Sequence, residues 1–252
     1  MNKCFSLEII EHLFVIYLFI YSFIHLLIVL RMVKITNFLL LFTFIVCSGF
    51  TWKASDDCDV NDIPEMAPDT TYLRLETRIA EGNNDVEENG LTGDIYFNST
   101  DLELCHDRGS TGNQAIGLRF TTIFLPPGAE ITRAYIQFTA DESVNVSGIL
   151  TISGDDSADS EPFQAQPYDV SARPRTYASI EWIPSNWQAG ESTILQRTAD
   201  ISEIVQEIVN KSDFTGMDFA MTFVIEGDGK RIAKAYELNP QTAPMLYVEY
   251  DY

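Results

Sequence analysis

The sequence is poor in the residues on which most enzymatic chemistry depends. It has three histidines in 252 residues; His12 and His25 lie in a hydrophobic N-terminal run, which leaves His106 alone in the remainder. No G-x-S-x-G elbow and no H-E-x-x-H pair occurs, which excludes the common serine-hydrolase and zinc-protease arrangements. Gly-Asp-Gly-Lys at 227–230 is not a phosphate loop, because Val224 stands where the first glycine is required and Arg231 where a Ser or Thr is required. Basic residues are scarce as well, 16 Lys and Arg against 37 Asp and Glu. Residues 50–252 hold 13 of the basic and 35 of the acidic side chains, a net of −22. Phosphate affinity comes from clustered Lys and Arg, so nucleic acid and anionic membrane surfaces are excluded as partners. Cations, cationic partners and neutral sugars stay open. A glycosidase needs only two carboxylates, but abundance of acids does not identify such a pair, and the chain reads as a non-enzyme.

Two hydrophobic runs lie in tandem at 13–30 and 35–50, separated by a short basic stretch. From Met32 onward the basic start, apolar stretch and small residues at Ser48 and Gly49 have the form of a secretory signal peptide. Residues 1–31 then read as an upstream extension. If translation starts at Met1, the run at 13–30 is long enough to anchor the protein in a membrane. In either case the acidic part is expected outside the cell or in the lumen. Cysteine usage agrees: with Cys4 and Cys47 in the N-terminal segment, Cys58 and Cys105 remain, and two cysteines in a secreted chain most simply form one disulfide. Sequons at Asn98, Asn145 and Asn210 fit a secreted glycoprotein.

Residues 50–71 form an acidic leader with Pro64 and Pro68 and little periodicity. From 72 to 252 the hydrophobic period is two. Strands are expected at 72–80, 94–97, 101–105, 115–124, 131–140, 148–153, 219–227, 231–236 and 244–252, with Ala134, Ile136, Phe138 and Ala140 on one face of their strand. Asp228-Gly229 has the composition of a two-residue hairpin turn. Asp200 and Glu203 form a capping-box pair ahead of one apolar stripe, predicting a helix over about 200–210. Residues 154–198 read as irregular. Many short strands with a single short amphipathic helix imply an all-β fold, a jelly-roll-like antiparallel β-sandwich.

The blocks RIAEGNNDVEE, DLEL at 101–104, GLRF at 117–120, PPGAEITRAYIQFTADE at 126–142, SARPRT at 171–176, QEIVN and GDGKR resemble a β-sandwich module of large secreted bacterial proteins. That module is similar in layout to DNRLRE-type, carbohydrate-binding-module-like domains, and the resemblance runs from about 72 to 250. In its format, a lone acidic module behind a signal peptide with sequons, the chain also resembles the acidic skeletal organic matrix proteins of reef-building corals. Those likenesses imply a sandwich fold and a place in a calcified extracellular matrix.

Calcium takes six to eight hard oxygen ligands, and carboxylate-dense loops supply them. Three acidic groups qualify as loops at strand ends: Asp85, Glu87 and Glu88; Asp101 and Glu103; Asp141 and Glu142. The related sugar-binding sandwiches often hold a structural Ca²⁺, which is what the resemblance implies for these positions; the competing reading is a solvated acidic rim. Asp57-x-Asp59-x-Asn61 only imitates a calcium loop, since Asp62 replaces the required glycine. Tyr177, Trp182 and Trp187 could form an aromatic platform for a sugar, although a Trp in such a segment more often fills the core. The expected function is therefore a secreted acidic structural protein of an extracellular matrix. Its expected partners are calcium ions or calcium mineral, with matrix polysaccharide or other matrix proteins beside them. The alternative is a glycan-binding adhesion module.

Overall fold

Strands that bury one face each must find a second layer, and here they do so as two antiparallel layers around one core. The computed structural model describes residues 73–106 and 113–252. The expected extension 1–31, signal peptide 32–49 and leader 50–71, Cys58 included, lie outside the described residues. The strands are β1 (Leu73–Arg78), β2 (Asp85–Asn89), β3 (Ile95–Tyr96), β4 (Asp101–Leu104), β5 (Gln114–Ile123), β6 (Glu130–Gln137), β7 (Leu150–Asp155), β8 (Arg175–Trp182), β9 (Phe219–Gly227), β10 (Arg231–Lys234) and β11 (Met245–Asp251); the helix is α1 (Ser202–Val209). One layer is a six-stranded sheet in the order β3-β2-β5-β9-β7-β8. The other combines β1-β11-β6 with the β10-β4 ribbon, which joins the end of β6 through an Ala140–Ala233 bridge. Every pairing between these strands is antiparallel. The fold is an all-β sandwich, as the periodicity predicts.

The core between the layers takes Ile116, Leu118 and Phe120 from β5 and Met221, Phe223 and Ile225 from β9; facing them are Ala134 and Ile136 from β6, Phe138 just beyond it, and Leu246 and Val248 from β11. Helix α1 buries Ile204, Val205, Ile208 and Val209 in that core. Two helical turns have no stability alone, so the helix exists because each of those side chains contributes about 1.5–3 kcal/mol on burial. The expected cap differs. Glu203 makes no box with Asp200; Asp200 Oδ1 accepts from Ser202 N at 2.9 Å and from Ala134 N of β6 at 3.1 Å. Residues 196–201 run along β6, exchanging hydrogen bonds with Phe138, Ile136 and Ala134, which closes the free edge of the three-stranded sheet.

The segment 154–198 contains more order than its sequence suggests. β8 is the edge strand of the large sheet, and Glu207 of α1 accepts from its Tyr177 and Ala178 amides at 2.9 and 2.8 Å. The stretch before β8 folds onto the outer face of the large sheet, where Phe163 and Val170 pack with Val86, Ala115 and Val224. Gly117 makes this possible, because a Cβ there would lie 2.5 Å from the Phe163 ring. β9 is thereby covered on both faces, which is why it reads as a continuous apolar run. Asp228-Gly229 is not a hairpin turn: β9 and β10 belong to different layers, and the dipeptide marks the corner where the chain crosses between them. Of the expected Cys58–Cys105 pair, only Cys105 is among the described residues. Cys105 is a free, fully buried thiol whose Sγ donates to Ile225 O at 3.3 Å. Burial, with the Glu226 and Glu87 charges adding to it, holds that thiol protonated.

Candidate functional site

The residues Asp85-Val86-Glu87-Glu88 were expected in an exposed loop. They form β2, between β3 and β5, and Asp85, Glu87 and Glu88 are 3%, 3% and 1% exposed. Burying a carboxylate is costly unless it is hydrogen-bonded, and each of the three accepts from a backbone amide of another segment. Glu88 Oε2 takes Val170 N at 2.7 Å and Ser171 N at 3.0 Å, fixing the loop over the outer face. Glu87 Oε1 takes Glu103 N of β4 at 2.8 Å. Asp85 Oδ2 takes Tyr236 N, between β10 and β11, at 2.8 Å.

Glu88 and Val86 face the covering loop, whereas Asp85 and Glu87 face β4 and the 236–237 connection. On that second side the polar groups are not all satisfied. Asp85 Oδ1, Glu237 Oε2 and Gln114 Oε1 are buried without a hydrogen-bond partner. Glu237 seats its other oxygen where Gly82 leaves room, only 1.6 Å from the position a Cβ would take. Burial drives the Asp85 carboxyl up to about 7; the Tyr236 amide opposes this, and the Glu237 and Glu87 charges reinforce it. Burial also raises Glu237. Glu87 is raised by burial and by the Asp101 charge, against hydrogen bonds from the Glu103 amide, Ser99 and the Glu103 side chain. A carboxyl-to-carboxyl hydrogen bond between Glu87 and Glu103 requires a proton shared between them. Above this pair opens a cleft of about 500 Å³ whose lining includes Tyr96, Asn98, Ser99 and Gln114.

The seven acids expected to bind calcium therefore do not form one site. Among the described residues, no three His, Cys, Asp or Glu side chains converge closely enough to hold a metal ion. Glu88 is occupied by backbone amides, and Asp141 and Glu142 lie on a bend beyond β6. Asp101 pairs across the ribbon with Lys234 in register, and Ser99 Oγ donates to its Oδ1 at 3.4 Å. In donor chemistry, the pair that fits a hard cation is Asp85 with Glu237: two carboxylates, each with an oxygen lacking a hydrogen-bond donor. Two carboxylates are a minority of the six to eight oxygens calcium takes, so the balance would come from backbone carbonyls and water. Glu237 and Gln114 carry no motif in the sequence, and nothing in it pointed to either.

The aromatic platform does not form. Trp182 and Trp187 are buried against Phe138 with ring centroids 5.9 Å away in both cases, Trp182 stacked and Trp187 tilted, and Trp187 Nε1 donates to Leu195 O at 3.1 Å. Only Tyr177 of the three is exposed. Asn98, Asn145 and Asn210 all lie at the surface, accessible to glycosylation. No family model matches the chain, and no curated protein matches it.

Proposed function

We propose that this protein is a secreted, acidic structural component of a calcified extracellular matrix, and that its β-sandwich takes up Ca²⁺ at the Asp85–Glu237 pair. The observation that carries this reading is the two buried carboxylate oxygens without donors, on different segments of one acidic edge. A proton or a cation relieves such a pair, and a hard divalent ion relieves both carboxylates at once. Three exposed sequons and the strong negative charge of the chain support the extracellular matrix setting.

The test is a thermal melt in CaCl₂, in MgCl₂ and in NaCl at matched ionic strength, since salt alone also softens repulsion. Extracellular calcium modules bind at about 10⁻⁴ to 10⁻³ M, and a hundredfold excess over the dissociation constant adds about 2.7 kcal/mol. For a domain of this size that is a rise of roughly 5–10 °C. The rise is expected to be calcium-selective and absent from the Asp85→Asn, Glu237→Gln double variant. Equal shifts in all three salts would reduce the acidic edge to a solvated surface.

A further inference from the structure

The outward face of the three-stranded sheet carries the opposite imbalance. β6 presents Arg133, Tyr135 and Gln137 there, and β11 places Tyr247 opposite Tyr135 in register. The two rings stack 4.7 Å apart at 14°. Arg197, from the strip along β6, lays its guanidinium 4.3 Å from the Tyr135 ring centroid and donates Nε to Gln137 Oε1 at 2.8 Å. Gln137 is itself fixed, its Nε2 donating to Phe138 O and Thr193 O at 3.0 Å each. Arg133 reaches the same ring at 5.4 Å. With Thr198 and Asp200, the residues Arg133, Tyr135 and Arg197 line a pocket of about 290 Å³.

Neither guanidinium forms an ion pair with a carboxylate among the described residues. Several other basic side chains also lack a carboxylate, but Arg78, Arg119 and Arg231 spend their guanidinium groups on backbone carbonyls, whereas Arg133 and Arg197 stand side by side over one ring. Glu249 stands directly across from Arg133 in register, yet its carboxylate takes the Tyr247 hydroxyl at 2.6 Å. Asp200 lines the pocket, but its Oδ1 is occupied by the Ala134 and Ser202 amides. Open N–H forks on a guanidinium held in place are receptors for planar or tetrahedral oxyanions.

The geometry points to this pocket as a binding site for an acidic saccharide, its carboxylate or sulfate held between Arg133 and Arg197 and its hydroxyls donating to Asp200. The Tyr135 ring already contacts Tyr247 and two guanidinium groups and is 7% exposed, so it stiffens the site and is not itself the sugar platform. Asp200 decides between ligand classes. A saccharide brings hydroxyl donors that can meet the Asp200 carboxylate beside its acidic group, whereas a run of acidic side chains offers that carboxylate no donor. The site is independent of the calcium pair, which lies in another part of the fold and involves none of these residues.

The experiment titrates the secreted chain, in calcium-free buffer, with oligosaccharides of equal length: one of sulfated uronates, one of galacturonate and one of neutral glucose. An oligoglutamate peptide and inorganic sulfate complete the set, and binding is read by calorimetry. One or both acidic saccharides bind, the neutral one does not, and Arg133→Gln with Arg197→Gln lowers affinity about tenfold or more. Because Arg197 also braces the strip along β6, Arg133→Gln alone, at an exposed position, is measured beside it and shows a smaller loss with an unchanged melting temperature. Undiminished binding by the double variant, oligoglutamate or sulfate binding as tightly as the saccharides, or no binding at all would each overturn the assignment.

Discussion

The two sides of β2 solve the same electrostatic problem in opposite ways. On the outer side, every buried charge has a partner. Glu88 holds two amides, and Arg173 spans Asp155 and Asp169 at 3.1 Å each while donating to Glu161 O and Pro162 O and lying 4.5 Å from the centroid of the Phe163 ring. On the inner side, Asp85, Glu237 and Gln114 keep oxygens that nothing satisfies. The difference separates acids that hold the fold together from acids whose burial costs stability. Satisfied networks rigidify and specify a fold, and unsatisfied groups mark places where the structure gives up stability for something else.

The comparison breaks first at Arg173. Arg173→Met removes the guanidinium that neutralises Asp155 and Asp169 and leaves the buried Asp155 charge without its cation, which costs about 3–5 kcal/mol when one member of such a network is deleted. The denaturation midpoint should fall sharply, and Phe163 and Val170 should lose hydrogen-exchange protection along with the loop. A change below about 1 kcal/mol would place the network among ordinary surface ion pairs.

This contrast also explains which parts of the fold were legible. Strands such as β5, β6, β9 and β11 were readable because their apolar residues face one core at period two, and α1 because its stripe is unbroken. β2 was not, since its sequence DVEEN has only one apolar residue and its burial depends on amides donated from segments far along the chain. β8 was hidden for a related reason: Thr176, Ala178, Ile180 and Trp182 alternate, but behind an acidic stretch whose order comes from Arg173. Trp182 and Trp187 look alike in an exposed or a buried setting, and only the position of Phe138 decides between them. The pocket at Arg133 and Arg197 joins two segments sixty residues apart, so no local pattern could show it.

The inner side is tested by pH. In metal-free protein the Asp85 carboxyl is raised from its ordinary 3.8 to about 7 by burial. Between those values the folded state holds a proton that the unfolded state has released, so stability from this group is full below about pH 4 and is lost as pH rises through about 7. At 1.36 kcal/mol per unit the loss is at most about 4 kcal/mol. Glu87 and Glu237, also raised, shift stability in the same direction. Asp85→Asn removes the Asp85 part, so the difference between wild type and variant isolates it from all other carboxylates. The expected result, by chemical denaturation in the presence of a chelator, is a variant that gains on wild type as pH rises from 4 to 8. Parallel curves would mean that Asp85 is ionised at no cost and that its second oxygen is solvated.

The smallest effect, and the sharpest in sign, belongs to Gln114. Its backbone amide donates to Cys105 O at 2.8 Å, so the strand is held whatever the side chain, and its Oε1 is buried with no donor. An unsatisfied buried acceptor costs about 1–3 kcal/mol. Methionine has nearly the same length and volume and carries no such acceptor. Gln114→Met is therefore expected to stabilise the metal-free protein by about 1 kcal/mol, the low end of that penalty. The sign is opposite to that of Arg173→Met, although both variants replace a buried polar side chain by the same apolar one. If the glutamine carbonyl also donates to a cation in the cleft above Glu87, the gain shrinks or reverses in calcium while it persists in chelator. A loss of stability in chelator would show that Oε1 is satisfied in solution, and Gln114 would then belong with Glu88 among the groups that hold the fold together.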